Sequence, residues 1–270
     1  MPLEPARVLP FYFGDADRRL FGCYHEPRPG ATRGCAVVIC QPVGHEYIYC
    51  HRALRQLATR LCNAGFPVLR FDYYGCGDSA GRDDEAQLEQ WLDDISKAIL
   101  EVQVQSGLAQ VCLIGLRLGA TLSMIAGAEC DEVDSLVLWD AVVTGRTYLQ
   151  ELLELQKESL RLRPKPAGSH KSQDTVEVIG FPLSQTLREQ LDKLDLLAMS
   201  ATPTKNILTI HTDRAVVDAG FKIHLNRVAL QFENQDLEAP PIWLPTTDGS
   251  LLVPAQILQS IVSWSCTTYS

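Results

Sequence analysis

The chain has 270 residues, 46% of them hydrophobic and 21% charged, a length and composition that exclude intrinsic disorder and lead us to expect one domain over residues 1–270. Acidic residues outnumber basic ones by 33 to 24, for a net charge of −9. No global positive field therefore exists to draw phosphate backbones or anionic lipid, and nucleic acid and membrane are set aside as partners.

In chain order, residues 7–24 predict an antiparallel hairpin, with Phe11, Tyr12 and Phe13 entering a Gly14-Asp15 turn and Leu20 to Tyr24 leaving it. Short apolar runs follow at 35–40, 67–71, 111–114, 135–139, 206–210 and 228–232. Each has the length of a strand buried on both faces. Helical stripes lie between them. Leu54, Leu57, Ala58, Leu61 and Cys62 form one, closed by Gly65; Leu88, Trp91, Leu92, Ile95, Ala98, Ile99 and Val102 form another, with Asp83 or Asp84 as its cap. A last helix over 254–264 would pack through Ile257, Leu258, Ile261 and Val262.

Strands alternating with helices predict an α/β fold, a mostly parallel doubly wound sheet with helices on both faces. One stretch breaks the alternation. Residues 147–162 read as a charged amphipathic helix, 163–175 as a polar Pro/Gly/Ser-rich segment and 187–197 as a second helix. An insertion over about 146–203 is thus expected at the carboxyl edge of the sheet, where it would form a small helical cap over a ligand crevice. The Gly-rich run 75–81 lacks the Gly-Lys-Ser/Thr ending of a phosphate loop and reads as a turn. The Pro-Pro-Ile-Trp run 240–243 reads as an extended surface strap.

Nine cysteines, an odd number without metal-type spacing, predict free thiols in a reducing compartment. With no targeting pattern in residues 1–20 and no apolar span, a cytoplasmic location is expected. No metal and no cofactor is implied.

Residues 111–120, V-C-L-I-G-L-R-L-G-A, read as a buried strand turning sharply into a helix. Together with H-R-A-L-R-Q-L-A at 51–58, A-G-F-P-V-L-R-F-D-Y-Y-G-C-G-D-S-A-G at 64–81, L-V-L-W-D at 136–140 and G-F-P-L-S at 180–184, this run resembles the α/β-hydrolase superfamily. More narrowly, the chain is similar to the serine-aminopeptidase-like proteins known as exosortase-A-associated hydrolases. The resemblance implies a hydrolase fold with a cap and an ancestor that cleaved esters or amides.

In that fold the turn is the nucleophile elbow, G-x-S-x-G, and here Arg117 stands where the serine would be. A guanidinium is protonated at any physiological pH and has no lone pair to attack a carbonyl carbon. The base is missing too: the fold carries its histidine on the loop after the final strand, and no histidine follows His224. Asp213 occupies the place of the acid but has no imidazole to orient. A substitute nucleophile would have to come from Ser123, Cys40, Cys50 or Cys76, with His45 or His211 approaching as its base and Asp140 as a further candidate.

Arg117 has two readings. Over the first turn of a helix, it would hold a small, anionic ligand, with Leu118, Gln41, Glu46, Tyr73 and Asp140 around it. Alternatively Asp140 or Glu46, the latter expected in the loop 41–47, neutralises it internally. The function expected is therefore binding of a small molecule or a protein partner under the cap, without conventional serine hydrolysis. Two alternatives stand beside it: an ester, thioester or amide hydrolase or lyase with nonstandard groups, and an interaction module of a biosynthetic or export system.

Overall fold

The computed structural model describes residues 7–28, 30, 32–162, 175–201, 203–212, 219–246 and 249–270. Its strands are β1 (Arg7–Phe13), β2 (Leu20–Glu26), β3 (Cys35–Cys40), β4 (Val68–Phe71), β5 (Gln110–Leu116), β6 (Val133–Trp139), β7 (Thr175–Val178), β8 (Phe181–Ser184), β9 (Asn206–His211) and β10 (Gln231–Asp236). Its α-helices are α1 (His45–Asn63), α2 (Leu88–Ser106), α3 (Leu118–Glu129), α4 (Gly145–Leu162), α5 (Gln185–Asp192), α6 (Ala219–Val228) and α7 (Ala255–Thr268).

One sheet runs β1-β2-β4-β3-β5-β6-β9-β10. The pairs β1/β2 and β2/β4 are antiparallel and all others in this sheet are parallel. Strand β3 shows why its apolar run is uninterrupted. Cys35, Val37 and Ile39 pack toward α1 and α7, while Ala36, Val38 and Cys40 pack into the other core, with α2 and α3. A strand covered on both faces cannot alternate with polar residues. The sheet is thus the mostly parallel, doubly wound α/β arrangement that the sequence predicts.

Several boundaries differ from expectation. The last strand is shifted by three residues from the predicted 228–232: α6 ends at Val228 and β10 begins at Gln231. As an edge strand whose side chains are all exposed or half-buried, Gln-Phe-Glu-Asn-Gln-Asp needs no apolar run. Helix α1 starts at His45, so Glu46 lies in its first turn rather than in a loop. Asp83 belongs to a separate 3₁₀ turn, Asp83–Glu85, and Gln87 is the N-cap of α2. Of the run 240–243, Pro240 and Pro241 are exposed as a surface strap would be, but Ile242 is only 2% exposed and packs with α7 residues.

The insertion between β6 and β9 holds α4, the antiparallel hairpin β7–β8, α5 and a 3₁₀ turn, Leu196–Ala198. The hairpin was not expected, and the second helix ends five residues earlier than predicted, before that turn; the polar stretch 163–174 lies outside the described residues. The base of the insertion is pinned where Gly145 N–H donates to Leu194 O (2.9 Å) and Leu196 N–H to Val143 O (2.9 Å). It stands over the carboxyl ends of β3, β5 and β6.

Between β5 and α3 the chain reverses within one residue. Arg117 has φ 55° and ψ −124°, a conformation that costs a side-chain-bearing residue about 1–3 kcal/mol. Two glycines make the reversal sterically feasible. A Cβ on Gly115 would lie 2.3 Å from Ala120 Cα, and one on Gly119 would lie 2.2 Å from the Cys40 carbonyl oxygen. Since that oxygen belongs to the central strand β3, it cannot move aside. Gly119→Ala is expected to lower the unfolding free energy by about 3 kcal/mol or to prevent folding; an unchanged urea midpoint would refute this account of the turn.

Candidate functional site

The guanidinium of Arg117 lies at the head of the elbow and its side chain is 11% exposed. Its Nε donates to Glu46 Oε1 (3.0 Å) and its NH2 donates to Glu151 Oε2 (2.6 Å). Tyr148 Oη donates to the other Glu46 oxygen, Oε2 (3.1 Å). Two aromatic faces complete the enclosure: Cζ of Arg117 is 5.4 Å from the Tyr148 ring centroid and 4.8 Å from that of Trp243. The internal ion pair weighed in the sequence is present with Glu46.

Each partner arrives from a different part of the chain. Glu46 comes from the first turn of α1, where the helix dipole also favours a carboxylate. Tyr148 and Glu151 lie three residues apart on α4, hence on one face. Trp243 comes from the segment after β10. Burial opposes the charge on Arg117, but Glu46, Tyr148 and Glu151 together hold its pKa above the ordinary guanidinium value. Burial pushes the Glu46 carboxyl up, while the Arg117 charge and the hydrogen bonds from Arg117 and Tyr148 pull it back down. The Tyr148 phenol is raised well above its usual value by burial and by Glu46, so it stays a donor.

The other sequence-derived residues divide clearly. Asp140 does not bond to Arg117; its Oδ1 accepts from Thr212 N–H (2.9 Å) and its Oδ2 from Thr212 Oγ1 (2.7 Å), tying the ends of β6 and β9. Burial raises the Asp140 carboxyl and the Thr212 bonds oppose the rise. Gln41 donates to Asp72 Oδ1 (2.7 Å), and Tyr73 is fully buried against Phe71 and Trp91. Ser123 is fully buried and donates to the Gly119 carbonyl (2.7 Å), a helix-internal bond. Asp213 lies outside the described residues. Of the thiols, Cys40 and Cys76 are pushed up to about 12 and Cys50 well above its usual value, in each case chiefly by burial. At neutral pH they are thiols rather than thiolates, and therefore weak nucleophiles.

Beside this cluster lies a cavity of about 350 Å³. Its wall combines core residues such as Val43, His45 and Leu118 with Tyr148, Phe181 and Leu187 of the insertion. Of the residues expected to hold a ligand, Leu118 lines it; Arg117, Gln41, Glu46, Tyr73 and Asp140 do not. The Gly75–Gly81 turn forms part of the wall, held by Asp72, whose Oδ2 accepts from Asp78 N–H (3.0 Å). Among the described residues no cluster of His, Cys, Asp or Glu could hold a metal ion, and no helix is long and apolar enough to cross a membrane.

Tyr148, Glu151 and Trp243 were missed from sequence. For the first two a signal existed: a buried arginine needs an acid, and the inner face of the amphipathic α4 offers one beside Leu152. For Trp243 there was none, because only the folded chain shows that its segment turns inward.

Comparison with known proteins fits this geometry. The family model described as serine aminopeptidase, S33, matches residues 37–181, more than half of the chain. The chain belongs to that family. A proline iminopeptidase of Lactobacillus delbrueckii subsp. bulgaricus is 31% identical over 115 residues, which span 42% of this chain and 37% of the relative. The match thus reaches little more than a third of the relative's length. Among solved structures, Est1E from Butyrivibrio proteoclasticus with bound ferulic acid aligns over 94% of this chain and 97% of its own, with TM-score 0.68 and 16% identity. The Pyrococcus furiosus esterase Pf2001 aligns over 98% and 92%, with TM-score 0.67 and 13% identity. These likenesses establish the α/β-hydrolase fold.

Two outcomes follow from the site. Arg117→Ala strands the Glu46 carboxylate, which is 1% exposed, and is expected to cost about 3–5 kcal/mol of stability. Glu151→Gln, whose carboxylate is 42% exposed, should cost about 1 kcal/mol or less; equal losses for the two in urea titrations would refute the ranking. Separately, His45 is 3% exposed, and burial, aided by the Arg117 charge, lowers its pKa from 6.5 to about 4. Between those values the unfolded chain binds more protons, so the stability from neutral His45 is present above pH 6.5 and lost as pH falls toward 4. The drop in unfolding free energy from pH 7.5 to 5 should be about 2 kcal/mol smaller in His45→Gln than in the wild type. Identical pH profiles would contradict the assignment.

Proposed function

We propose that this chain binds a small, mostly apolar molecule in the cavity beneath the insertion, which serves as its cap, and does not carry out serine-type hydrolysis. The carrying observation is the elbow itself: its side chain is a guanidinium already bonded to Glu46 and Glu151. A serine hydrolase of this fold needs a hydroxyl there and an imidazole within hydrogen-bond reach. Here the segment after the last strand contributes Trp243, an aromatic cover for the cation, at 4.8 Å. The surrounding thiols and Ser123 offer no activated replacement.

The ligand's chemistry follows from charge and lining. Arg117, which the sequence offered as the partner of an anion, faces two carboxylates, so an added carboxylate or phosphate would enter a surround that is net negative. The cavity wall is dominated by Val43, Leu118, Leu152, Val178, Leu183 and Leu187, the composition of a site for a neutral apolar body. A cytoplasmic location is part of the same proposal, since all nine cysteines are unpaired thiols.

The test is chemical. The full chain is expected to show no labelling by a fluorophosphonate and no turnover of p-nitrophenyl acetate or butyrate above buffer. Arg117→Ser, which puts a hydroxyl back on the elbow without an imidazole to activate it, is expected to remain equally silent. Stoichiometric labelling of the wild type, or turnover abolished by a single change at Ser123, Cys76 or His45, would overturn the reading.

A further inference from the structure

His45 begins α1 and lines the cavity, and it is 3% exposed. Its Nε2 is buried and has no hydrogen-bond partner among the described residues. Leaving such an atom unpaired is costly, and native structures rarely accept that without a partner supplied from elsewhere. The neighbouring polar groups of the wall are already committed. Tyr47 Oη donates to Asp72 Oδ1 (3.1 Å), Ser79 Oγ to the Asp72 carbonyl, Tyr148 Oη to Glu46 Oε2 (3.1 Å) and Trp91 Nε1 to the Tyr74 carbonyl (3.2 Å). Among the described residues, His45 Nε2 is the buried side-chain nitrogen or oxygen of this wall without a hydrogen-bond partner.

Resting on the reading of the cavity as a ligand site, we infer that His45 is its polar contact and that the ligand is a neutral molecule with an apolar body and a hydroxyl, an alcohol or a phenol. A neutral imidazole presents Nε2 as either donor or acceptor, depending on its tautomer. A hydroxyl can answer both, because it donates and accepts. A carboxylate only accepts, and it would be placed beside Glu46, the next residue in the chain. An ammonium would have to shed its water among leucines and valines, with both Glu46 oxygens already occupied by Arg117 and Tyr148. The apolar body is set by Leu118, Leu152 and Leu187, and a single substituted ring fits within about 350 Å³.

Calorimetric titration of the full chain with 4-ethylphenol, ethylbenzene, 4-ethylbenzoate and 4-ethylbenzylamine separates the terms on one carbon skeleton. We expect 4-ethylphenol to bind at least tenfold tighter than ethylbenzene and both charged compounds to bind more weakly than ethylbenzene. His45→Phe should reduce 4-ethylphenol to the level of ethylbenzene measured on the same variant. In the wild type, the ¹⁵N resonance of His45 Nε2 should shift on adding 4-ethylphenol and stay put on adding ethylbenzene, a readout that survives if the variant does not fold. Equal binding of 4-ethylphenol and ethylbenzene, a charged compound binding as well as the phenol, or an unmoved Nε2 resonance overturns the role of His45 and leaves the cavity reading intact. Failure of all four compounds to bind overturns both.

Discussion

A guanidinium placed against the end of a buried strand has to be neutralised where it sits, because the several kcal/mol of lost hydration are recovered only by close, well-directed partners. Around Arg117 this requirement organises four regions of the fold: α1 supplies Glu46, α4 supplies Tyr148 and Glu151, the elbow supplies the cation, and the segment after β10 lays Trp243 over it. Each carboxylate has a distinct weight. Glu46 is sealed and uses both oxygens, whereas Glu151 reaches in from a half-exposed position and is screened by solvent.

The elbow shows that a strained turn and the chemistry usually mounted on it are separable. Arg117 keeps the positive φ, and Gly115 and Gly119 keep the backbone approaches that only hydrogen side chains permit. None of those constraints involves the side chain at the apex. Replacing an alcohol by a cation changes what the turn must be surrounded by, and here the surroundings are carboxylates and aromatic faces. The cavity beside it is correspondingly apolar.

Much of the fold could be read from the amino-acid order, for physical reasons visible in single elements. Strand β3 runs 35–40 as predicted because burial on both faces demands an unbroken apolar run, and α2 shows its stripe because one face alone meets the sheet. Strand β10 was predicted three residues early because an exposed edge carries no such pattern, and the apolar Val228, Ala229 and Leu230 just before it drew the prediction toward the end of α6. The hairpin β7–β8 escaped because four-residue strands have too few positions to show a period. In the site, Glu46 was identified from its nearness to the strand ends. Asp140 was placed at the end of the right strand, but the Thr212 hydroxyl and amide satisfy it locally. Trp243 was invisible: its position over Arg117 depends on how a segment without regular structure crosses the sheet.

The dispersal of Arg117's partners along the chain also bears on the order in which the protein forms. During synthesis the elbow leaves the ribosome before α4 does, and long before Trp243 emerges. Until then its cation has to stay hydrated, since drying it without Glu46, Glu151 and the indole in position would cost more than the half-formed core returns. Closure of this corner is thereby deferred until almost the entire polypeptide has been made. The segment beyond the last strand becomes the piece whose arrival completes the enclosure of the elbow.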